Sequence, residues 1–246
     1  MSANLPTPSQ IHSPLINDQI LEASMENPED THPDAIIDIA PDGDLILVVG
    51  PKKTKLRVRS TLLAAASKPF SAMLGPNWKE GNDLHHQQGP FELLLPEDDA
   101  VAMQIICVII HYQNDKLSRT LNADDVFAVA VAADKYDCAH VLRFARESWL
   151  RTYGKESHSL VLLAASAYLF QDASAFRVIT GVLVLNHVGS YLSLRIDEVE
   201  SFLPWTVFYL LGAQRAWARL EVSDLLAEEY GDVSCCQHAE HCAKWM

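Results

Sequence analysis

The residues best suited to chemistry lie close together near the C-terminus. Cys235, His238, His241 and Cys242 fall within one short segment, and thiolate and imidazole are ligands that zinc prefers. On a helix, Cys235, His238 and Cys242 would stand at i, i+3 and i+7 and could share one face. The neighbouring Cys235 and Cys236 and the missing Cys-x-x-Cys pair match no standard zinc finger. Two interpretations stay open: a zinc site at the four residues, or an exposed tail without metal or other cofactor.

Signatures of catalysis are missing from the rest of the sequence. It contains no GxSxG, HExxH, GxGxxG or Walker motif, and its ten glycines leave little material for a phosphate-binding loop. Gly189-Ser190 has neither a second glycine nor a base. His238-Ala239-Glu240 matches the H-x-E of zinc deaminases, but no P-C-x-x-C follows it. We therefore expect a protein that is not an enzyme, with no catalytic residues and no small-molecule substrate.

Composition narrows the classes of partner. The formal net charge is −13, and the first 51 residues hold nine acidic residues and no Lys or Arg. An acidic chain repels phosphate backbones, so we expect no nucleic-acid partner. No apolar run approaches the length of a membrane span, so we expect no membrane partner. Five cysteines, an odd number without a secretory signal, favour a reducing compartment. The expected location is intracellular, in the cytoplasm, the nucleus or both.

Two segments predict a strand pair. Leu45 to Val49 is a continuous aliphatic run, typical of a buried strand. The following segment alternates, with Lys53, Lys55, Arg57 and Arg59 at odd positions and Leu56 and Val58 at even positions. That period of two predicts a strand with one charged face. The same basic run resembles a nuclear import signal, which would have to be accessible and extended, so the import signal stays an alternative to the solvated strand face.

Capping residues predict the helices. Ser60 and Ser67 are candidate caps of two adjoining short helices, with Pro69 in the first turn of the second and Phe70 as a core anchor. Longer helices are predicted after Pro96, near Asn122, after Asp172 and after Pro204. The expected core stripes are Val101, Ile105, Val108, Ile109 and Tyr112; Leu160, Leu163, Ala164 and Ala167; Phe176, Ile179 and Leu183; and Val207, Leu210, Leu211 and Gln214, with Trp217 near the far end.

This order of elements resembles a BTB/POZ domain over about residues 35 to 152. The resemblance rests on an Asp before the first strand, an aliphatic core in the first short helix, a Ser-x-x-Phe, a third strand and long middle helix from Phe91 to Gln113, and an Ala-Ala-Asp-x-Tyr helix. In this sequence the matching residues are Asp44; Leu62, Leu63 and Ala64; Ser67 and Phe70; and Ala132, Ala133, Asp134 and Tyr136.

The resemblance implies an α+β BTB/POZ fold, in which a small three-stranded sheet is capped by a cluster of helices, followed by an all-α C-terminal region. The expected organisation is a disordered acidic leader at 1–34, the BTB/POZ domain at 35–152, a helical extension at 153–232 and the Cys/His tail at 233–246. The implied function is a non-catalytic protein-interaction module that forms homodimers and acts as a scaffold or adaptor. Expected partner-contacting residues include Ile36 and Ile37, with Leu62, Ala65 and Phe70 beneath them.

Two more specialised functions stay open within the family. Family members that bind cullins carry a hydrophobic-x-Glu after the Ser-x-x-Phe helix. Trp78-Lys79-Glu80 has that form, which would make the chain a substrate adaptor of a cullin-based ubiquitin ligase; alternatively, Trp78 packs in the local core. Arg59 stands where the family usually has His, at a position that often borders the pocket of transcription-repressor members. A transcription regulator is the other alternative.

Overall fold

A four-stranded mixed sheet holds the aliphatic segments of the N-terminal half. The computed structural model describes residues 35–78, 89–152, 154–194 and 197–242, those after 227 by their backbone alone. The strands are β1 (Ile36–Asp38), β2 (Leu45–Val49), β3 (Thr54–Val58) and β4 (Phe91–Leu95), in the order β1-β3-β2-β4. β2 pairs antiparallel with β3, while β1 joins β3 and β4 joins β2 in parallel.

The predicted strand pair is confirmed, but the predicted number of strands is wrong. Every residue of β2 is buried, and Leu56 and Val58 of β3 are inaccessible to solvent while Lys55 and Arg57 are half-buried. The expected three strands become four because β1 pairs with Lys55 to Arg57. A strand of three residues carries too little periodicity to be recognised, and a distant segment supplies its partner.

Helices make up most of the remaining described chain. They are α1 (Ser60–Ala66), α2 (Lys68–Met73), α3 (Ala100–Ile110), α4 (Ala123–Lys135), α5 (Arg143–Trp149), α6 (Ser157–Leu169), α7 (Ala173–Asn186), α8 (Asp197–Glu200) and α9 (Trp205–Cys242). Short 3-10 segments cover Asn114–Lys116, Ala139–Leu142 and Tyr191–Leu194. The predicted α+β class is therefore confirmed.

The predicted caps Ser67 and Asp172 are confirmed, and Asn122 caps the helix that was predicted to start near it. The side chains of Ser67, Asn122 and Asp172 each accept a hydrogen bond from a backbone N–H three residues later, and each satisfies a donor that the first turn of a helix leaves free. Pro69 lies in the first turn of α2, where a missing N–H costs nothing.

Two helix starts differ from the prediction. Ser60 is the first residue of α1 rather than its cap, because its side chain binds the Asp44 carboxylate instead of the helix backbone. The long middle helix begins at Ala100, later than Pro96 indicates, because Asp99 provides the cap by accepting from the Ala102 N–H at 2.8 Å.

The predicted core stripes are partly wrong. Val101 in α3 and Tyr112, two residues beyond its end, are exposed although Ile105, Val108 and Ile109 are buried, because the core surrounds this helix on most sides but leaves its two ends open. In α9, Leu210 and Trp217 are exposed, and Phe208 and Leu211 make the contacts with the body.

One continuous hydrophobic core joins the sheet to the helices. Leu47 of the sheet, Phe70 of α2 and Ala133 of α4 belong to the same buried cluster, as do Leu163 of α6 and Ile179 of α7. α6 packs against α4, and α7 packs against α6. The helices after residue 155 therefore share the core of the segment that resembles a BTB/POZ domain.

Candidate partner-binding surface

The end of α4 is bound to the sheet side of the molecule by a buried polar cluster. Asp98, which is 8% exposed, precedes α3. It accepts hydrogen bonds from the Tyr136 hydroxyl at 2.8 Å and the Lys135 ammonium at 2.7 Å. The Tyr136 carbonyl accepts from the Ser67 hydroxyl at 2.6 Å, and the Tyr136 ring stacks on Phe70 with centroids 4.4 Å apart. We call these five residues the Tyr136 clamp.

The protonation of Tyr136 suits its role as a donor. Burial, together with its hydrogen bond to Asp98, raises the pKa of the Tyr136 phenol well above its ordinary value, so the phenol keeps its proton. The signature residues Ser67, Phe70 and Tyr136 thus contribute to internal packing, whereas Asp134 is exposed. The clamp therefore positions helices.

A second polar junction fixes the start of α1. The Asp44 carboxylate accepts from the backbone N–H of Ser60 at 2.8 Å and from the Ser60 hydroxyl at 2.5 Å. Next to it, the Arg59 guanidinium pairs with Asp42, with Nε and Oδ1 3.2 Å apart, and this hydrogen bond lowers the pKa of the Asp42 carboxyl. Since both side chains are exposed, solvent screens the pair, and we assign it a small share of the stability.

A neutral histidine connects α3 to α1. His111 Nε2 accepts the backbone N–H of Arg59 at 2.9 Å, and Nδ1 lies 2.7 Å from the Cys107 carbonyl oxygen. The carbonyl can only accept, so Nδ1 carries the proton and Nε2 is free to accept. Burial is the largest cause that lowers the pKa of the His111 imidazole, which keeps this tautomer in place near neutral pH.

Two adjoining grooves lie beside this junction, with volumes of about 530 and 320 Å³. They share Val141 and Phe144, and Phe144 is 85% exposed. Tyr112, which is 81% exposed, lines the larger groove; its backbone has a φ of 60°, which turns the chain out of α3. We define the aromatic surface as Leu62, Tyr112, Arg119, His140, Val141, Arg143 and Phe144.

The aromatic surface is basic in a chain of net charge −13. Arg119 and Arg143 make no ion pair with any described residue, and no acidic residue is among the described residues that line either groove. Exposed aromatic rings beside unpaired arginines are typical of protein interfaces. The surface therefore suits a partner that offers apolar and acidic side chains.

Of the N-terminal site residues predicted from the sequence, Arg59 lies beside this surface. Ile36 and Ile37 are half-buried in β1, an edge strand of the sheet. Arg59 borders a neighbouring groove that also includes Leu62 and Tyr112. Phe144 and Arg143 were not predicted, because a short helix with a single ring between two arginines has no pattern that reveals which side stays uncovered.

Of the other predicted site residues, Trp78 lines neither groove. Trp78 follows α2 and is 55% exposed rather than packed in the core, and Glu80 lies outside the described residues. Cys235, His238, His241 and Cys242 lie on the last turns of α9, and their side chains are outside the described part of the structure. Among the described side chains no group of three or more could hold a metal ion.

The described cysteines have the character of core residues. Cys107 and Cys138 are both buried and free. Burial raises the pKa of the Cys138 thiol to about 12 and raises that of Cys107 still further. Both groups therefore stay as thiols, which are poor nucleophiles compared with thiolates.

In comparisons with known proteins, no family model matches this sequence, and no curated protein matches it. Among the described helices, none is both long and apolar enough to cross a membrane.

Replacing His111 tests the tautomer. Its pKa in the folded protein lies below the ordinary value of 6.5, so its hydrogen bonds stabilise the fold fully above that pH. This stabilisation is lost as the pH falls through the lowered pKa. We expect wild type to be more stable than His111→Gln at pH 7.5 in urea unfolding, with a difference that shrinks as the pH falls. A difference independent of pH between 7.5 and 4.5 would contradict this assignment.

Proposed function

We propose that this chain is a non-catalytic protein-interaction module of the BTB/POZ type and that it self-associates. The aromatic surface is the observation that carries the proposal. The order of elements supports it as well, because a strand pair, two short helices, a further strand and two longer helices follow one another as the BTB/POZ resemblance implies.

The aromatic surface is suited to binding a protein. The rings of Tyr112 and Phe144 are almost fully exposed, so a partner that covers them gains apolar burial that the isolated chain does not have. The hydrogen bonds of His111 and Asp44 hold the end of α3 and the start of α1 in place next to this surface. Binding a partner would therefore cost less conformational entropy than it would at a flexible surface.

A second copy of the chain has the properties of a suitable partner. In a two-fold pair the same surface of both copies comes together. The exposed rings of Tyr112 and Phe144 of the two copies then bury one another, and this apolar contact favours the pairing. Ile36 and Ile37, on the neighbouring edge strand, would extend the contact.

Substitution of Phe144 tests the proposal. We expect the wild-type chain to self-associate in sedimentation velocity and Phe144→Asp to weaken one association step at least about tenfold, because an exposed aromatic anchor is replaced by a charge. Leu185→Asp is the matched control, since Leu185 on α7 is 82% exposed and lies outside both grooves. Unchanged association of Phe144→Asp would contradict the assigned surface, and a wild-type monomer at high concentration would contradict self-association.

Adaptor function for a cullin-based ligase is a second candidate. The exposure of Trp78 favours it, because an uncovered tryptophan directly after α2 is available to a partner. The sequence Trp78-Lys79-Glu80 matches the hydrophobic-x-Glu form of cullin-binding family members.

A direct binding measurement tests this candidate. We expect an isolated cullin N-terminal domain to bind the wild-type chain in calorimetry, and Trp78→Ala and Glu80→Lys each to abolish binding. Lys79→Ala is the matched control, because the middle position of the motif is variable, and it should bind as wild type does. No heat of binding with the wild-type chain, or equal binding of all four proteins, would contradict the candidate.

A further inference from the structure

The two grooves of the aromatic surface meet at one exposed ring. Phe144 lines both grooves, whereas Tyr112 and Arg143 line only the larger one and Arg119 lines only the smaller one. The grooves have volumes of about 530 and 320 Å³, which is in the range of pockets that bind ligands. A partner that crosses the Phe144 ring can therefore place side chains in both.

Both grooves have an apolar floor that the core already holds in place. Ala66 and Ile110 line the larger groove, Trp149 lines the smaller one and Ile109 lines both, and all four residues are buried. They belong to the continuous hydrophobic core, so they are packed without any partner. Each groove is therefore suited to receive an apolar side chain.

Each groove also carries one arginine whose charge has no partner. Arg143 and Arg119 are both exposed, and neither guanidinium makes an ion pair or a hydrogen bond with a described residue. No acidic residue is among the described residues that line the grooves. Within the described part of the chain, the two positive charges are therefore available to a binding partner.

Self-association leaves these two arginines without an acidic partner from the grooves. In a two-fold pair the surface meets its own copy, which brings the same arginines and no acidic residue from either groove. The rings of Tyr112 and Phe144 gain apolar burial, but the like charges of the two copies repel one another. A second copy therefore satisfies the aromatic rings of this surface and not its charges.

A peptide that is both acidic and apolar satisfies the rings and the charges together. Its apolar side chains would occupy the grooves on either side of Phe144, and its carboxylates would pair with Arg119 and Arg143. Arginine and carboxylate groups form strong, often bidentate hydrogen bonds. A nucleic acid could also neutralise the arginines, but a chain of net charge −13 repels phosphate backbones. The charge of the surface therefore favours an acidic peptide.

We infer that the aromatic surface binds a segment of a partner protein in which large apolar residues stand beside Asp or Glu, and that this segment displaces the second copy. The inference rests on the proposed function for the place of binding, and it adds the chemistry of the partner and its effect on assembly. The same surface then serves two alternative states: a self-associated chain held by apolar contact, and a complex held by apolar contact and ion pairs.

Peptide selection tests the chemistry of the partner. The probe is a phage-displayed library of random dodecapeptides, and the targets are the full-length wild-type chain and the double variant Arg119→Gln/Arg143→Gln. We expect wild type to enrich peptides that combine Asp or Glu with large apolar residues, and the double variant to lose the preference for acids. Both substitutions are at exposed positions, and circular dichroism should show equal helix content. The same acidic enrichment on both targets, or none on wild type, would overturn the inference.

Anisotropy with the most enriched peptide measures the contribution of the charges. We expect Arg119→Gln and Arg143→Gln each to weaken binding at least about tenfold, because each removes a hydrogen-bonded ion pair. Arg219→Gln is the matched control, since Arg219 on α9 is exposed and lines neither groove, and it should bind as wild type does. Equal affinity of all four proteins would overturn the inference, as would equally tight binding of a single-stranded oligothymidine.

Sedimentation velocity with the same peptide tests displacement. We expect a saturating concentration of peptide to convert the self-associated wild-type chain into complexes that contain a single copy. The double variant Arg119→Gln/Arg143→Gln keeps both rings, so it should self-associate at least as strongly as wild type and resist the peptide. Self-association that persists in the wild-type chain with peptide bound would overturn displacement.

The outcomes separate this inference from the proposed function. If Phe144→Asp weakens self-association but selection on wild type yields no acidic peptides, the inference is overturned and the proposed function stands. If an acidic peptide binds through Arg119 and Arg143 but the wild-type chain is a monomer at high concentration, self-association and displacement are overturned and the assigned chemistry of the partner stands.

Discussion

The burial of Asp98 is the constraint on which the rest of the structure depends. An ionised carboxylate in the core is tolerated only when charged and hydrogen-bonding groups satisfy it, and Lys135 and Tyr136 supply those groups. Their position at the end of α4 ties that helix to the segment that leads into α3. Because Tyr136 also accepts from Ser67 and stacks on Phe70, the same residue holds α2. Three segments that are distant in the sequence are thereby joined at one point.

The exposed surfaces follow from this internal order. With α2, α3 and α4 held in place, His111 at the end of α3 accepts a hydrogen bond from the backbone N–H of Arg59, directly before α1. The next residue, Tyr112, has its ring exposed to solvent. Polar contacts also position α9, near the C-terminal end of the described chain. The Arg215 guanidinium donates hydrogen bonds to the carbonyl groups of His187 and Gly189, which follow α7. In both places a short set of polar contacts positions an apolar surface that the chain itself leaves uncovered.

Local patterns predicted a large part of this fold. The alternation in β3 and the caps Ser67, Asn122 and Asp172 depend on neighbouring residues, and all were recognisable in the sequence. The pairing of β1, the binding of Ser60 to Asp44 and the exposure of Tyr112 and Phe144 depend on distant contacts. For the candidate surface, the sequence therefore indicated Leu62 and the neighbouring Arg59, but not the exposure of the aromatic rings, because periodicity shows which residues are apolar and not which of them the fold covers.

A double-mutant cycle tests the central claim, that Asp98 and Tyr136 act together to join the sheet to the helices. The free energy of unfolding is measured in urea for wild type, Asp98→Ala, Tyr136→Phe and the double variant. If the two side chains stabilise each other, the double variant loses less stability than the sum of the single variants, with a coupling energy of about 1–3 kcal/mol. Losses that add to within about 0.5 kcal/mol would contradict the claim.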